Sequence, residues 1–378
     1  MSKDLGGAAF VGLIDLAAED MGGRALASSD DFFAGMENML KPGRGVFLPD
    51  EYTDRGKWMD GWESRRKRGP GHDWCLVRLG VRGVIKAVDI DTNHFLGNHP
   101  PYASLEATRA PLDADVAGLE AADWTEILPQ SPLRPGSQNL FVVSSSEAYT
   151  HLRLRIYPDG GVARLKVWGS ADPDWDRTEI DDETRPRLRA GEVDLASVRN
   201  GALALACSDS FFGPMNNLIA PGRAVNMGGG WETRRKRLPG HDWILVRLGA
   251  RGRLGLVEID THHFKGNYPD RFALRGIDAP GAKITDLVPV GSYGGGEAEW
   301  TTVMGETRLE ASTRHFFRDA LAAGTYRLRF DLDPYFALDG RRSFYPHVEI
   351  VFVVERTDEH YHVPLLLSPF GYSTYRGS

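Results

Sequence analysis

Residues Gly61–Pro100 read GWESRRKRGPGHDWCLVRLGVRGVIKAVDIDTNHFLGNHP, and residues Gly230–Pro269 read GWETRRKRLPGHDWILVRLGARGRLGLVEIDTHHFKGNYP. The two stretches align without a gap and are identical at 28 of 40 positions. The repeat extends upstream, where Ser29–Arg44 (SDDFFAGMENMLKPGR) matches Ser208–Arg223 (SDSFFGPMNNLIAPGR). Units this long in two copies predict two similar domains rather than a solenoid, whose units are typically about 20–50 residues.

The identities kept between the two copies are mainly charged and polar. A hydrophobic core requires only apolar residues of about the right size, so core packing alone does not explain them. The retained pairs therefore indicate a shared site or a shared polar framework. They are Glu63/Glu232, Arg65/Arg234, Arg66/Arg235, His72/His241, Asp73/Asp242, Asp91/Asp260, His94/His263 and Asn98/Asn267.

The composition is that of a soluble globular protein. The chain has 378 residues, of which 42% are hydrophobic and 26% charged, enough for two or three domains. A net charge of -7 argues against a nucleic-acid partner. The two cysteines stand at non-equivalent places in the repeats, which favours a reducing compartment. We find no signal peptide and no apolar run of about 20 residues, so we expect a cytoplasmic protein without a membrane partner.

Short alternating or β-branched runs bounded by Gly and Pro predict an all-β fold of sandwich type. Arg82-Gly83 stands between two such runs, Trp74–Leu79 and Ile85–Asp91, as a hairpin or loop would. Leu152–Tyr157 and Val162–Trp168 flank the turn sequence PDGG and predict a second hairpin.

Helical patterns are few in this sequence. Asp194–Ala206 is the clearest candidate, with Asp194 as a possible N-cap. The Pro- and acid-rich stretch Asp172–Pro186 predicts a linker between the repeats.

An aspartate and a histidine recur three residues apart, as Asp91 and His94 and again as Asp260 and His263. Such a pair could act as a general base, with the carboxylate fixing the tautomer of the imidazole. It could instead hold a divalent metal that activates water, although no HxH, HExxH or CxxC spacing accompanies it. A third possibility is structural: the aspartate caps a turn and the histidine packs beneath it.

The basic run that follows Trp62 and Trp231 offers arginines suited to bidentate binding of a carboxylate or phosphate. We assign this role to Arg66 and Arg235 and expect Lys67 and Arg68 to be solvated.

The segments SDDFF, MDGWESRRKR, GHDW, DIDTNHFLGN and RIYPDGG together resemble the allantoicase family over roughly residues 8–317. The resemblance implies tandem jelly-roll β-sandwiches. It also implies an amidinohydrolase of purine (allantoin) degradation, which converts allantoate to (S)-ureidoglycolate and urea.

That substrate has one carboxylate and two ureido groups. The carboxylate needs a guanidinium, the ureido groups need amides and acids, and the reaction needs a group that activates water and protonates the leaving nitrogen. The substrate-binding candidates are Arg66, Arg235, Asn98, Asn267, Glu63 and Glu232. The catalytic candidates are Asp91, His94, Asp260 and His263, with a metal hydroxide as the alternative.

The last sixty or so residues differ from the end of the first repeat. Their segments FYPHVEI and HYHVPLLLSPFGYS resemble the C-terminal half of 5-hydroxyisourate hydrolase, a transthyretin-like enzyme. The resemblance places His362 on the family's catalytic histidine and Tyr375, Arg376, Gly377 and Ser378 at its active site. The N-terminal half of that family has no counterpart in this chain.

These observations predict three parts: a first repeat over 1–171, a second over 187–317 and a transthyretin-like segment over 318–378. We further hypothesise that Tyr326–Leu332 replaces the closing strand that the second repeat lacks.

Three functions follow from the sequence. The first is an allantoicase-type hydrolase acting on a small ureide, expected to form a homo-oligomer. The second is 5-hydroxyisourate hydrolysis by the C-terminal segment. The third is a non-catalytic jelly-roll module that binds a ligand, because fold alone does not define function.

Overall fold

The computed structural model describes residues 12–173, 175, 182–237, 240–289 and 298–318, together with the strands at 324–331, 347–354, 365–368 and 371–374. The described residues fall into two compact units, one within Met1–Gly252 and Pro280–Ala298 and the other within Arg253–Ala279 and Glu299–Ser378. The sequence-based division into three parts stays a prediction. Within the described residues, no helix is both long and apolar enough to cross a membrane.

The first repeat is built from strands joined by loops and 3₁₀ turns, with one short helix, α1 (Val116–Glu120). Its strands are β1 (Ile14–Asp15), β2 (Arg24–Ser28), β3 (Tyr52–Thr53), β4 (Gly56–Lys57), β5 (Trp62–Glu63), β6 (Asp73–Asp91), β7 (Tyr102–Thr108), β8 (Thr125–Pro132), β9 (Leu140–Val142), β10 (Ala148–Tyr157), β11 (Gly161–Val162) and β12 (Arg164–Ala171).

Strand β6 organises this repeat, because its two halves pair with different strands. The first half lies between β2 and β10, and the second half lies between β12 and β9. The resulting order is β1-β12-β6-β10-β7-β8, with β2 and β9 also paired to β6.

The predicted break at Arg82-Gly83 is wrong, because β6 continues through these residues. The predicted hairpin of β10 with β12 is also wrong, since β6 lies between these two strands. Gly83 serves close packing: a Cβ there would lie 2.4 Å from the Ser170 carbonyl oxygen.

The core of the first repeat is a single cluster of buried apolar side chains contributed by most of these strands. Leu154 on β10 and Leu105 on β7 join Val88 on β6 and Val167 on β12 in one cluster of fully buried side chains. Alternation along each strand sends these apolar side chains into the core. Some polar side chains of the same strands are buried as well, among them Asp89 and Asp91 on β6 and Arg164 on β12. The all-β sandwich predicted from the sequence is confirmed.

The described part of the second repeat repeats the register of the first. Phe141 pairs with Val88 in the first repeat, and Phe317 pairs with Val257 in the second. The strands are β13 (Leu203–Cys207), β14 (Ile244–Arg247), β15 (Leu256–Asp260), β16 (Arg271–Gly276), β17 (Thr301–Arg308) and β18 (Arg314–Arg318), and the helix is α2 (Ile284–Leu287). The pairs are β13 with β14, β15 with β18 and β16 with β17.

The helix predicted over Asp194–Ala206 is wrong. A 3₁₀ turn at Val198–Asn200 ends at Gly201, whose φ is 90°, and β13 then begins. The apolar residues of β13 are used in pairing with β14, which overrides their helix propensity.

Four strands are described beyond residue 323. They are β19 (Gly324–Asp331), β20 (His347–Val354), β21 (Leu365–Ser368) and β22 (Gly371–Thr374). Strand β19 pairs with β20 along its whole length, and β21 pairs with β22. Among the described strands β19 therefore does not take the place hypothesised for it in the second sandwich. Strand β20, which is rich in β-branched residues and follows β19 in the chain, pairs with it instead.

Candidate functional site

The basic run of the first repeat is fixed along the PDGG turn. Trp62 is fully buried, and its Nε1 donates to the Asp30 carbonyl oxygen at 2.8 Å. The Ser64 amide donates to the Gly160 carbonyl oxygen at 3.2 Å, and the Lys67 amide donates to Asp159 Oδ2 at 2.7 Å. The backbone from Trp62 to Lys67 therefore runs along Asp159–Gly161. These hydrogen bonds fix the backbone from which the side chains of the basic run project.

Arg65 and Arg234 form the same ion pair in the two repeats. Arg65 Nε donates to Asp30 Oδ2 at 2.7 Å, and Arg234 Nε donates to Asp209 Oδ2 at 2.7 Å. Burial alone would raise the pKa of Asp30, but the hydrogen bonds from Arg65 outweigh it and lower the pKa. The two repeats keep these arginines because each one ties its loop to an aspartate of the upstream segment.

A second repeated ion pair corrects the expectation that Lys67 is solvated. Lys67 Nζ lies 2.8 Å from Asp73 Oδ1, and the Asp73 side chain is only 1% exposed. In the second repeat Lys236 Nζ lies 3.1 Å from Asp242 Oδ1. A buried carboxylate needs such a partner, which explains why both residues persist.

The neighbouring arginines have a different setting. Arg66 and Arg68 are exposed and, within the described residues, have no ion pair, and the same holds for Arg235 and Arg237. Arg65 and Lys67 anchor the loop, which leaves the guanidinium of Arg66 available to an anionic ligand.

Glu63 and Asn98, both predicted as substrate-binding residues, are brought together. Asn98 Nδ2 donates to Glu63 Oε1 at 2.6 Å. Burial raises the pKa of the half-buried Glu63, although the hydrogen bond from Asn98 partly offsets this. A carboxyl group with a raised pKa is suited to proton transfer, and the exposed Arg66 lies three positions further along the same loop.

The PDGG turn holds Asn98 in place, a role the sequence did not reveal. The Gly161 amide donates to the Asn98 carbonyl oxygen at 2.8 Å. Gly160 has a φ of 136°, and a Cβ there would lie 2.6 Å from that same oxygen. Two consecutive glycines are thus required for close backbone approach. Next to Asn98, His99 Nδ1 is buried without a hydrogen-bond partner among the described residues.

The expected hydrogen bond between Asp91 and His94 is not formed. Both oxygens of Asp91 accept from Arg44, and Oδ1 also accepts from the Asn93 amide at 2.9 Å. His94 is exposed, with its Nε2 3.1 Å from the Gly45 carbonyl oxygen. Asp91 therefore caps a turn and pairs with the partly buried Arg44, because the acid faces into the protein while the imidazole faces out.

The two histidines nevertheless share an unusual backbone. His94 has a φ of 68° and His263 a φ of 70°. Left-handed backbone at a non-glycine residue costs on the order of 1 kcal/mol and is concentrated at functional sites. The turn is the same in both repeats, since Asp260 Oδ1 accepts from the His262 amide at 2.7 Å. The catalytic role of these four residues stays a prediction.

The remaining predicted residues are placed as follows. Glu232 accepts backbone hydrogen bonds from Phe212 and Gly213 within its compact unit, and Asn267 belongs to the other unit. In the described part of the chain, no group of three or more His, Cys, Asp or Glu side chains is arranged to hold a metal ion. The transthyretin-like candidates lie outside the described residues; they are His362, Tyr375, Arg376, Gly377 and Ser378.

The fold and the site define a protein of repeated β-sandwiches, with a polar site at the loops of the first sandwich. A family model of the allantoicase repeat matches residues 14–172 and 193–334. A Burkholderia mallei protein named probable allantoicase 1 is 46% identical over 310 residues, which cover 82% of this chain and 87% of that protein. A Ralstonia nicotianae protein named probable allantoicase is 41% identical over 322 residues, covering 85% and 90%.

The solved structures agree with these relatives. The crystal structure of allantoicase from Saccharomyces cerevisiae aligns with a TM-score of 0.66 and 30% identity, covering 84% of this chain and 90% of that one. The chain belongs to the allantoicase family. A model of the HIUase/Transthyretin family matches residues 292–377, so both resemblances found in the sequence are confirmed.

Proposed function

We propose that this chain is an amidinohydrolase that converts allantoate and water to (S)-ureidoglycolate and urea. Membership of the allantoicase family supports the proposal. The observation that carries it to particular residues is the Glu63 carboxyl group, whose pKa is raised by burial and whose Oε1 accepts a hydrogen bond from Asn98. Arg66, three positions further along the same loop, is exposed and has no ion pair among the described residues.

The reaction consumes one water molecule. The water oxygen bonds to the central carbon of allantoate, and the bond from that carbon to one ureido nitrogen breaks. One proton of the water must leave as the new C–O bond forms, and one proton must reach the departing nitrogen. A single carboxyl group can serve both transfers when its pKa lies closer to neutrality than usual.

Each residue of the first-repeat site then has a role. Arg66 binds the substrate carboxylate through two parallel hydrogen bonds. Glu63 accepts the proton from water and delivers it to the leaving ureido nitrogen. Asn98 fixes the Glu63 carboxyl group through the 2.6 Å hydrogen bond and offers its amide to a ureido carbonyl.

The aspartate–histidine pairs enter the proposal with altered roles. His94 and His263 stay candidates for contact with the substrate, since both occupy the same left-handed turn. Asp91 and Asp260 position that turn through hydrogen bonds to its backbone.

Urea release from allantoate by the purified full chain tests this function, with and without a chelator. We expect equal amounts of urea and ureidoglycolate. Chelator sensitivity would support metal-activated water over the Glu63 mechanism. The absence of urea in the presence of added divalent metals would refute the proposal and favour a non-catalytic binding module. Light scattering tests the expected homo-oligomer, and cell fractionation tests the expected cytoplasmic location.

A second activity has one supporting observation, the HIUase/Transthyretin match over residues 292–377. Faster loss of 5-hydroxyisourate absorbance than in buffer would support hydrolysis by the C-terminal segment. The His362→Ala variant would have to lose that acceleration while retaining urea release.

A further inference from the structure

The two repeats differ by an insertion next to the candidate site. Sixteen residues separate Arg44 from Gly61 in the first repeat, whereas six separate Arg223 from Gly230 in the second. We call Gly45–Asp60 the strap. It contains the small hairpin of β3 and β4.

Ion pairs with a buried partner, Asp91 at one end and Arg164 at the other, fix both ends of the strap. Arg44, just before it, binds Asp91 through N–O distances of 2.8 and 2.9 Å. Asp60, at its end, lies 2.7 Å from Arg164, whose side chain is 2% exposed. The Val46 amide donates to Asp60 Oδ2 at 2.8 Å, which joins the two ends. The strap is therefore part of the folded scaffold.

The strap extends from His94 to the loop beside Glu63. The ring of Phe47 stacks on His94 with a centroid distance of 5.6 Å and an interplanar angle of 28°. At the other side, Arg55 Nη1 donates to the Asp31 carbonyl oxygen at 2.6 Å. The amide of Phe33, two residues further on, donates to the Glu63 carbonyl oxygen at 3.1 Å.

The chemistry of the strap suits an anion that carries planar groups. Phe47 is partly exposed, so part of its ring remains open to a ligand. Lys57 Nζ lies 5.0 Å from the centre of that ring and, in the described structure, has no ion pair. An aromatic surface with a neighbouring cation can pack against a ureido plane and attract a carboxylate.

In the described structure, the corresponding loop of the second repeat, residues 224–229, has neither the aromatic ring nor the lysine of the strap. Its loop carries Asn226 where the first repeat carries Phe47, and Gly229 where the first carries Asp60. Asn226 is used instead to accept a hydrogen bond from the Gly228 amide at 2.8 Å. Val225, in the same loop, is 87% exposed.

We propose that the strap forms one wall of the allantoate site, with Phe47 as a substrate-positioning residue, and that the first repeat therefore carries the working site. This inference rests on the function proposed above. It adds Phe47 as a residue that determines substrate binding. It also assigns different roles to the two repeats, because only the first one carries the strap.

The first test compares Phe47→Ala with Leu48→Ala, an exposed neighbour on the same strap. Loss of one aromatic contact should raise KM for allantoate by about 3- to 10-fold and leave kcat within about twofold. Phe47→Tyr should restore KM, because it keeps the ring. Val225→Ala, in the shorter loop of the second repeat, should leave KM unchanged. An unchanged KM in Phe47→Ala, or an equal rise in Leu48→Ala, would overturn the inference.

The second test asks which repeat works. The loss of kcat in Glu63→Gln should exceed the loss in Glu232→Gln by at least about tenfold. Equal losses would mean that the repeats contribute equally and would overturn the assignment to the first repeat.

Calorimetric binding of allantoate separates this inference from the proposed function. If the wild-type chain releases no urea, the proposed function fails, yet the ratio of the Kd values of Phe47→Ala and wild type still decides the role of the strap. A ratio of about 3 to 10 supports it, and a ratio of one overturns it.

Discussion

Asp91 accepts a bidentate pair of hydrogen bonds from Arg44, although the two residues lie 47 positions apart in the sequence. The Asp91 side chain is 1% exposed, so the hydrogen bonds from Arg44 take the place of solvent around it. The same carboxylate caps the turn that carries His94. An acid that the repeat pattern marks as catalytic therefore also maintains the architecture beneath the site.

The Arg44→Met variant should be strongly destabilised. It leaves the Asp91 carboxylate buried without its cation, which costs about 3–5 kcal/mol in comparable cases. Urea denaturation of the full chain measures the free energy of unfolding. The control is Arg55→Met, which breaks the exposed pair with Asp31 and should cost less than about 1 kcal/mol. Similar losses in the two variants would contradict a structural role for the Arg44–Asp91 pair.

Glu63→Gln should reduce kcat on the order of 10²- to 10⁴-fold while leaving the unfolding midpoint nearly unchanged. The active form of Glu63 is the carboxylate, so kcat/KM of the wild type should fall as pH decreases through the Glu63 pKa. Because burial raises that pKa, the fall should begin at a higher pH than for an ordinary glutamate. A pH–rate profile of the variant that keeps this acidic limb would rule out Glu63 as its origin.

Arg66→Gln should raise KM for allantoate by roughly 10- to 100-fold, the value of a charge-assisted hydrogen-bonded pair. Arg68→Gln provides a matched control, because it removes the same charge from the same exposed loop. Steady-state urea release at varied allantoate concentration gives both constants. If the two variants behave alike, the loop acts only through its overall charge.

The buried His151 should make the folded state sensitive to acid. Burial, with a smaller contribution from Arg78, lowers the pKa of His151 to about 4. The unfolded chain, with an ordinary pKa near 6.5, binds the proton more tightly between these values, so acid favours unfolding. Relative to His151→Asn, the wild type should lose roughly 3 kcal/mol of stability between pH 7 and pH 4. Urea denaturation at several pH values checks this difference.

Asp15 should act in the opposite direction. Burial raises its pKa to about 6, so the folded state binds this proton more tightly and acid stabilises it. Relative to Asp15→Asn, the wild type should gain roughly 2.4 kcal/mol between pH 7 and pH 4. In the wild type the two groups should largely cancel. A steep acid dependence that neither variant alters would refute both assignments.

The sequence predicts what repetition and alternation encode. The two copies predict a shared polar framework, and the structure contains part of it in the equivalent ion pairs Arg65–Asp30 and Arg234–Asp209. Alternating strands predict the sandwich. Repetition does not distinguish residues that hold a loop from residues that face a ligand, so Arg65 and Arg66 look alike in the sequence and differ in space.

The missed features depend on contacts between distant segments. Nothing in the spacing of Asp91 and His94 indicates Arg44 as the partner of the acid. Gly83 reads as a turn residue, yet it lies inside β6 because of the close approach of Ser170. The pairing of Glu63 with Asn98 likewise depends on Gly160 and Gly161, whose sequence predicts only a turn.

Strand β6 also constrains when the first sandwich can form. The partners of β6 come from both ends of the repeat. Strand β1 can pair only after β12 has been synthesised, because Ile14 pairs with Gly169. Contacts of such separation fold slowly, because a long loop must close before the pairing is stabilised. During synthesis, β6 can pair only with β2 when residues 14–91 have left the ribosome. Its other edges depend on protection from aggregation until β9, β10 and β12 have emerged, which requires residue 171.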